Sequence, residues 1–209
     1  MKQLVIICAG GIGREVAWLV ERLYLADHFP YRFVGFVDDQ VRDTVEGYPI
    51  LGNIKWLESQ TNKPDIVCAL GDPIKRYTVC KNLEAAGFKF ATLIDPSVQM
   101  SKHVYVGEGS LIFANCVLTT NVTIGANVII SPSCTIGHDT TIGEYVSIMP
   151  GVNIAGNVNI GKYVFIGIGV RVINNLKIGD ESLIGGGATV TKDIPNKVVA
   201  VGTPAKPVR

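Results

Sequence analysis

The 209-residue chain lacks a surplus of either charge: 19 Lys and Arg stand against 18 Asp and Glu, a net charge of +1. With no basic excess to displace counterions from a phosphate backbone, a dedicated binder of nucleic acid or of an anionic membrane surface is excluded. Charge of any sign is scarce, at 18% of residues against 47% hydrophobic. That balance excludes a disordered chain and demands a large buried core, or a surface that another subunit covers. Long apolar runs are missing too. The first, residues 4–9, stops at Gly10-Gly11, too short for the core of a signal peptide and far too short to cross a bilayer. It reads as a β-strand. The cysteines Cys8, Cys68, Cys80, Cys116 and Cys134 are odd in number and hold no Cys-x-x-Cys pair, so neither a disulfide framework nor a zinc site is indicated. They read as reduced core thiols in a cytoplasmic protein. Histidine is rarer still, with only His28, His103 and His138, too far apart in the sequence to share a metal. The expected partner is small, or a second copy of the chain.

What the sequence has in abundance is a period. From Ile94 to Val190 an aliphatic residue opens every block of six without a gap, as at Ile112, Ile124, Ile136, Ile148, Ile160, Val172 and Ile184. Four places after each opener the side chain is again apolar or small, as at Cys116, Val128, Cys134 and Val146, and about half of the second positions are glycine. Six residues are too few for a helical solenoid unit, and a strand does not run on for so long, so each block is a short strand plus a corner. Three sides close a triangular coil of eighteen residues. Openers then stack in interior columns, and glycine supplies the backbone angles of tight corners. Residues 94–189 make about five coils at ~4.8 Å each, a parallel β-helix roughly 25 Å tall.

Residues 1–93 follow a different grammar. A strand over residues 3–8 runs into Ala9-Gly10-Gly11-Ile12-Gly13-Arg14-Glu15, and Val16, Leu19, Val20 and Leu23 follow at helical spacing. A second strand, residues 33–37, ends in Asp38-Asp39. A third, residues 65–70, ends in Gly71-Asp72 and precedes a helix carrying Arg76, Val79, Leu83 and Ala86. The order implies a small parallel, Rossmann-like α/β sheet. Glycines after the first strand let the main chain approach a phosphate at the N-terminus of the next helix, and an acid closing the second strand is placed to meet a ribose or base.

The combination resembles the family of sialic acid O-acetyltransferases and nucleotide-sugar N-acetyltransferases, which includes the bacillosamine and perosamine enzymes. The carriers are Gly10 to Glu15, Asp38-Asp39, Gly71 with Arg76, Ile136-Gly137-His138-Asp139, Ala155-Gly156-Asn157, Gly185-Gly186-Gly187-Ala188 and Val201-Gly202-Thr203-Pro204-Ala205-Lys206. The resemblance implies a nucleotide-sugar-binding domain over residues 1–93 and a left-handed parallel β-helix acetyltransferase domain over residues 94–209. It implies Gly10, Gly11, Ile12, Asp38, Asp39, Gly71 and Arg76 as contacts to the nucleotide sugar. Two positions depart from the family pattern: Cys8 stands for a glycine and Ile12 for a histidine. Since Ile12 cannot donate a hydrogen bond, substrate contacts at this turn are expected to be rearranged.

Acetyl transfer from a thioester needs a base, a donor for the developing oxyanion and a slot for the coenzyme. His28 ends the first helical stretch and His103 sits near the start of the coils, whereas His138 takes an outward corner position with Asp139 next to it. A free imidazole is mostly unprotonated at neutral pH, and a neighbouring carboxylate orients it. The pair matches the family's histidine followed by an acid, with His138 as base and Asp139 as its helper. Gly156 falls eighteen residues on, on the same corner, where its amide could face the thioester oxygen. The resemblance implies acetyl-CoA contacts at Ser147, Gly156, Ile168 and Gly186, with no metal required. Ile168 and Gly186 lie on a different edge from His138, so a homotrimer with active sites between prisms is expected. The expected reaction is N-acetylation of a UDP- or GDP-linked 4-amino-4,6-dideoxy sugar in surface glycan or polysaccharide synthesis. Two alternatives are O-acetylation of a sugar, as in the sialic acid branch, and a trimeric nucleotide-sugar-binding protein without turnover.

Overall fold

The computed structural model describes residues 1–26, 29–40 and 43–208, so His28 lies outside the described residues. The chain divides into two compact units, Met1–Leu93 and Ile94–Arg209. In the first, β1 (Lys2–Ile7), α1 (Gly11–Leu25), β2 (Tyr31–Val37), β3 (Thr44–Val45), β4 (Tyr48–Gly52), α2 (Ile54–Glu58), β5 (Asp65–Cys68) and α3 (Pro73–Ala85) follow in order. The sheet runs β3-β4-β2-β1-β5. Its pairings are parallel except for the β3–β4 hairpin. Leu4, Val5, Ile6 and Ile7 of β1 are all buried, the continuous apolar run of a strand covered on both faces. Helix α1 buries Val16, Leu19 and Val20 of the stripe that its spacing predicts, together with Ala17, while Leu23 near its end is half-buried.

Two expectations change here. Between the second and third strands read from the sequence, Thr44–Val45 forms β3 and Tyr48 begins β4, two strands that the sequence did not announce, while Val41 and Arg42 lie outside the described residues. In α3 the buried face is Pro73, Arg76, Cys80 and Leu83; Val79 is half-buried and Ala86 is the residue after the helix. A charge in the buried stripe blurs the helical pattern that the sequence offers. Parallel pairing brings the chain following β1, β2 and β5 to one edge of the sheet, which is where such sheets bind ligands.

In the second unit, each hexad of the repeat forms a two-residue strand whose second residue is the opener, as in Thr123–Ile124, Thr135–Ile136 and Ser147–Ile148. The strands pair in parallel with partners eighteen residues away, Thr135 with Asn153 and Ile136 with Ile154. Main-chain bonds join the coils, Thr135 N to Val152 O at 3.0 Å and Gly137 N to Ile154 O at 2.8 Å among them. Ile124, Ile136, Ile148 and Ile166 stack with Cys116, Val128, Cys134 and Val146 in one buried core, each aliphatic side chain contributing roughly 1.5–3 kcal/mol. The interior hydroxyls are satisfied: Ser110 donates to Gly125 O at 2.9 Å, Thr140 to Ala155 O at 3.2 Å and Ser182 to Pro195 O at 2.7 Å.

The glycines following the openers serve a purpose other than the expected corner angles. Gly137 is not in the left-handed region, but a Cβ there would lie 2.5 Å from the main chain of Ala155 and Gly156. Gly107 meets the next coil in the same way. The left-handed position lies two places later and is filled by Asn115, Asn121, Ser133, Asp139, Tyr145, Asn157 and Asn175, at φ between +54° and +62°. In the last coil the step shortens to sixteen residues, Leu183 pairing with Val199. An antiparallel return strand, Lys206–Pro207, then covers the free edge of Val199–Val201.

Candidate active site

His138 and Asp139 are gripped from the coils on either side. Asp139 N donates to Thr120 O at 3.1 Å, and His138 O accepts from Asn157 N at 2.7 Å. The imidazole is an exposed side chain, 63% accessible. Its Nδ1 lies 2.8 Å from Asp139 Oδ2, and the other carboxylate oxygen accepts from Asn121 Nδ2 at 2.6 Å. A carboxylate can only accept, so Nδ1–H is the donor of this bond, and a neutral imidazole in that tautomer carries its lone pair on Nε2. The hydrogen bond from Asn121, and after it the one from His138, holds the Asp139 carboxyl below its ordinary value. Under the ring lies Gly156: a Cβ there would come within 2.5 Å of both Cε1 and Nε2. Ring and glycine fit because the side chain is absent.

A second edge of the β-helix is stripped of side chains. Gly151, Gly169 and Gly187 follow one another at intervals of eighteen with φ of +69°, +66° and +71°, and a Cβ on any of them would meet nothing within 4 Å. The same corner earlier in the chain holds Asn115 and Ser133 at nearly the same φ. Conformation alone therefore does not require glycine here; open space along the edge is what glycine supplies. Ile168 stands beside this strip, 62% exposed, with its Cγ2 3.2 Å from where a Cβ on Gly186 would lie. Ser147, expected to touch the coenzyme, is fully buried in its strand between Ile129 and Phe165 of the adjoining coils. It has no surface to offer.

At the turn after β1, Cys8 has φ +77°, a conformation that suits the glycine for which it stands. Ala9 N donates to Asp38 Oδ2 at 2.8 Å and Gln40 N to Asp38 Oδ1 at 2.8 Å, so Asp38 ties the turn to the end of β2. Gly10 caps α1 with no side-chain hydrogen bond. Gly11 faces open space, whereas a Cβ on Gly13 would lie 1.9 Å from Cys8 O. The sulfur-bearing turn and the helix can approach only because residue 13 is glycine. Ile12 packs on Gly71, where a Cβ would lie 2.7 Å from Ile12 Cδ1. Asp39 Oδ1 accepts from Ile54 N at 3.3 Å. A cleft of about 470 Å³ opens at this end of the sheet, lined by Asp38, Asp39, Asp43, Asn53 and Trp56 among others.

Arg76 does not reach a ligand from this edge. It is 1% exposed, and its guanidinium donates to Leu70 O just beyond β5, so its charge ties α3 to the sheet. Sequence reasoning missed Trp56, which no motif marks, and Asn121, which the same eighteen-residue step that joins His138 to Gly156 would have found. Among the described residues no group of three or more His, Cys, Asp or Glu could hold a metal ion.

The PglD N-terminal domain model matches residues 3–83. The bacterial transferase hexapeptide model, of six repeats, matches residues 103–138, 139–167 and 157–192. Among curated proteins, no relative matches the chain. Among solved structures, the acetyltransferase domain of PglB from Neisseria gonorrhoeae FA1090 shares 31% identity over 100% of both chains, with a TM-score of 0.91. Its complex with acetyl coenzyme A shares 32% over 99% of each, at 0.90. PerB of Caulobacter crescentus, a perosamine N-acetyltransferase solved with CoA and GDP-perosamine, shares 29% over 100% of this chain and 98% of its own, at 0.88. WeeI from Acinetobacter baumannii AYE shares 29% over 100% of both, at 0.90.

Proposed function

Because the chain belongs to the family of sugar acetyltransferases that join a PglD N-terminal domain to a left-handed β-helix of hexapeptide repeats, we propose that it N-acetylates a nucleotide-linked 4-amino-4,6-dideoxy sugar, with His138 as general base. Acetyl-CoA is the donor. The observation that carries the reading is the exposed His138–Asp139 pair, its Nε2 unencumbered above Gly156, in a chain that aligns over 99% of its length with an acetyl-CoA-bound relative.

In this mechanism the sugar amine attacks the thioester carbonyl carbon while His138 Nε2 takes the amine proton. Asp139, ionised and bonded to Nδ1, stabilises the imidazolium that results. The N–H of Gly156 is the proposed donor to the tetrahedral oxyanion. Collapse breaks the carbon–sulfur bond, and the departing thiolate recovers the proton from Nε2, giving CoASH and the amide. The strip of Gly151, Gly169 and Gly187 beside Ile168 and Gly186 is the proposed coenzyme slot. In the first unit, the amides of Gly10 and Gly11 at the start of α1 suit the diphosphate. Ile12 and Gly71 wall the turn, Asp38 holds it in shape, and Asp39 faces the ribose or base.

The edge with His138 and the edge with Ile168 lie twelve residues, two sides, apart on one prism. A homotrimer in which neighbouring prisms contribute one edge each resolves that separation. The five cysteines, none of them in a disulfide, fit a reducing, cytoplasmic compartment, and the product fits surface glycan or polysaccharide assembly. UDP and GDP both remain candidate carriers; the relative solved with GDP-perosamine favours testing GDP early.

The test is thiol release from acetyl-CoA with UDP- and GDP-linked 4-amino-6-deoxy sugars and with free and CMP-linked sialic acid. Turnover of one amino sugar, lost by about 10²–10⁴-fold in His138→Ala, is the expected result. Turnover confined to sialic acid would replace the amine with a hydroxyl acceptor, and undiminished turnover by His138→Ala would remove it from the mechanism.

A further inference from the structure

The hydrogen bonds at the catalytic corner extend one coil beyond the two residues just assigned. Asn121 occupies the same corner as Asp139 in the preceding coil, eighteen residues earlier, and both are left-handed, with φ of +54° and +58°. The side-chain bond between them, 2.6 Å from Asn121 Nδ2 to Asp139 Oδ1, leaves Oδ2 for His138 Nδ1 at 2.8 Å. We propose that Asn121 is a positioning residue, whose amide fixes the Asp139 carboxylate so that Oδ2 selects the Nδ1–H tautomer of His138 and keeps Nε2 free to accept a proton.

The chemistry requires such a device. Asp139 is exposed, its side chain 50% accessible, and an unrestrained carboxylate there would rotate about its terminal torsion, which has broad wells. An amide N–H bonded to one oxygen removes that freedom and leaves the second oxygen directed at the ring. The backbone supports the same arrangement: Thr120, the neighbour of Asn121, accepts from Asp139 N. The preceding coil therefore holds the residue by main chain and side chain together.

The corner column offers its own control. Farther along the column, Asn157 Nδ2 donates to Asn175 Oδ1 at 2.8 Å, with Asn175 at φ +62°. That bond spans the same corner between two neutral amides, and neither partner touches the imidazole. Asn175→Ala should lose some stability and no catalysis, whereas Asn121→Ala should lose catalysis. Asn121→Asp gives a second variant, isosteric and suited to the left-handed region, which cannot donate and sets a second carboxylate against Asp139.

The proposal rests on His138 being the base, and the experiment separates the two. With three histidines in the chain, ¹⁵N-labelled imidazole resonances can be assigned by deleting His138, and the tautomer can be read without any sugar substrate. Expected for Asn121→Ala and Asn121→Asp are a kcat lower by about 10- to 100-fold, KM values for both substrates unchanged, and a His138 signal moved from one tautomer toward a mixture. Asn175→Ala should retain wild-type kcat and tautomer. A kcat within twofold of wild type in Asn121→Ala, or a lower kcat with the tautomer unmoved, overturns the proposal. Were His138→Ala to retain turnover, the base assignment would fall, while the tautomer measurement would still decide whether Asn121 orders the pair.

Discussion

Asp139 would be an ordinary solvated acid at a corner if its two oxygens were free. Instead each has a fixed partner, and the bond from Asn121 followed by that from His138 lowers its pKa. The fold therefore favours the charged form. The associated stability is complete above the unfolded value of about 3.9 and is lost as pH falls through the lower folded value, so at neutral pH the carboxylate is present to hold the ring. Gly156 sets the other limit on that ring. Its replacement by alanine puts a methyl where Cε1 and Nε2 now lie, and a displacement of this size should cost about 10²-fold in kcat. Steady-state kinetics beside a thermal melt will check it; full activity in a folded Gly156→Ala would show that the ring has room to move. His138 and Asp139 were legible because histidine is rare in this sequence. Asn121 was hidden by company: asparagine tolerates the left-handed region, and Asn115, Asn127, Asn157 and Asn175 fill equivalent corners away from the imidazole. Ser147 and Arg76 failed as ligands because sequence spacing fixes a position along the chain but not what covers it.

Among the elements, the corner shows how much a repeat conveys. The six-residue period prescribed strand, corner and interior columns correctly, since burial imposes it on every coil. It assigned glycine to the wrong cause, because close approach to the next coil and a positive φ are indistinguishable as letters. The two causes separate only in coordinates, where Gly137 meets backbone and Gly187 meets nothing. Gly187→Asn uses that distinction. Asparagine accepts the angle, as it does at Asn115 and Asn175, but fills the strip. The expected result is an unchanged melting temperature to within a few degrees and a KM for acetyl-CoA raised about tenfold, the effect of ~1.4 kcal/mol of lost binding. An unchanged KM would take the strip out of the coenzyme slot. In the first unit the parallel strands were legible from apolar runs ending in glycine or acid. The β3–β4 hairpin was not, because two-residue Thr44–Val45 and a strand containing Pro49 carry almost no alternation.

For the molecule as a whole, the separation of the two edges turns an arrangement within one chain into a statement about assembly. His138→Ala removes the proposed base, and Gly187→Asn fills the proposed coenzyme edge. If each site takes one edge from each of two neighbours, mixed trimers contain sites assembled from the two intact edges. Coexpressed variants, assayed at acetyl-CoA below the variant's KM, should exceed the summed activities of the separate proteins severalfold. Activity no greater than that sum would place both edges in one chain. Sedimentation should accompany the assay, with three copies expected.

The eighteen-residue register also governs what changes of length the gene can survive. Adding or deleting a whole coil leaves every later residue on its own side of the prism. Adding a single hexad between Gly156 and Ile168 preserves the buried columns and the local sequence pattern, yet turns everything downstream by one side, carrying Ile168 and Gly186 away from the edge proposed for the coenzyme. Such an insertion would leave a folded protein with its catalytic geometry undone, so lineages that keep the activity are confined between these points to length changes in multiples of eighteen, while those that abandon it are free to count in sixes.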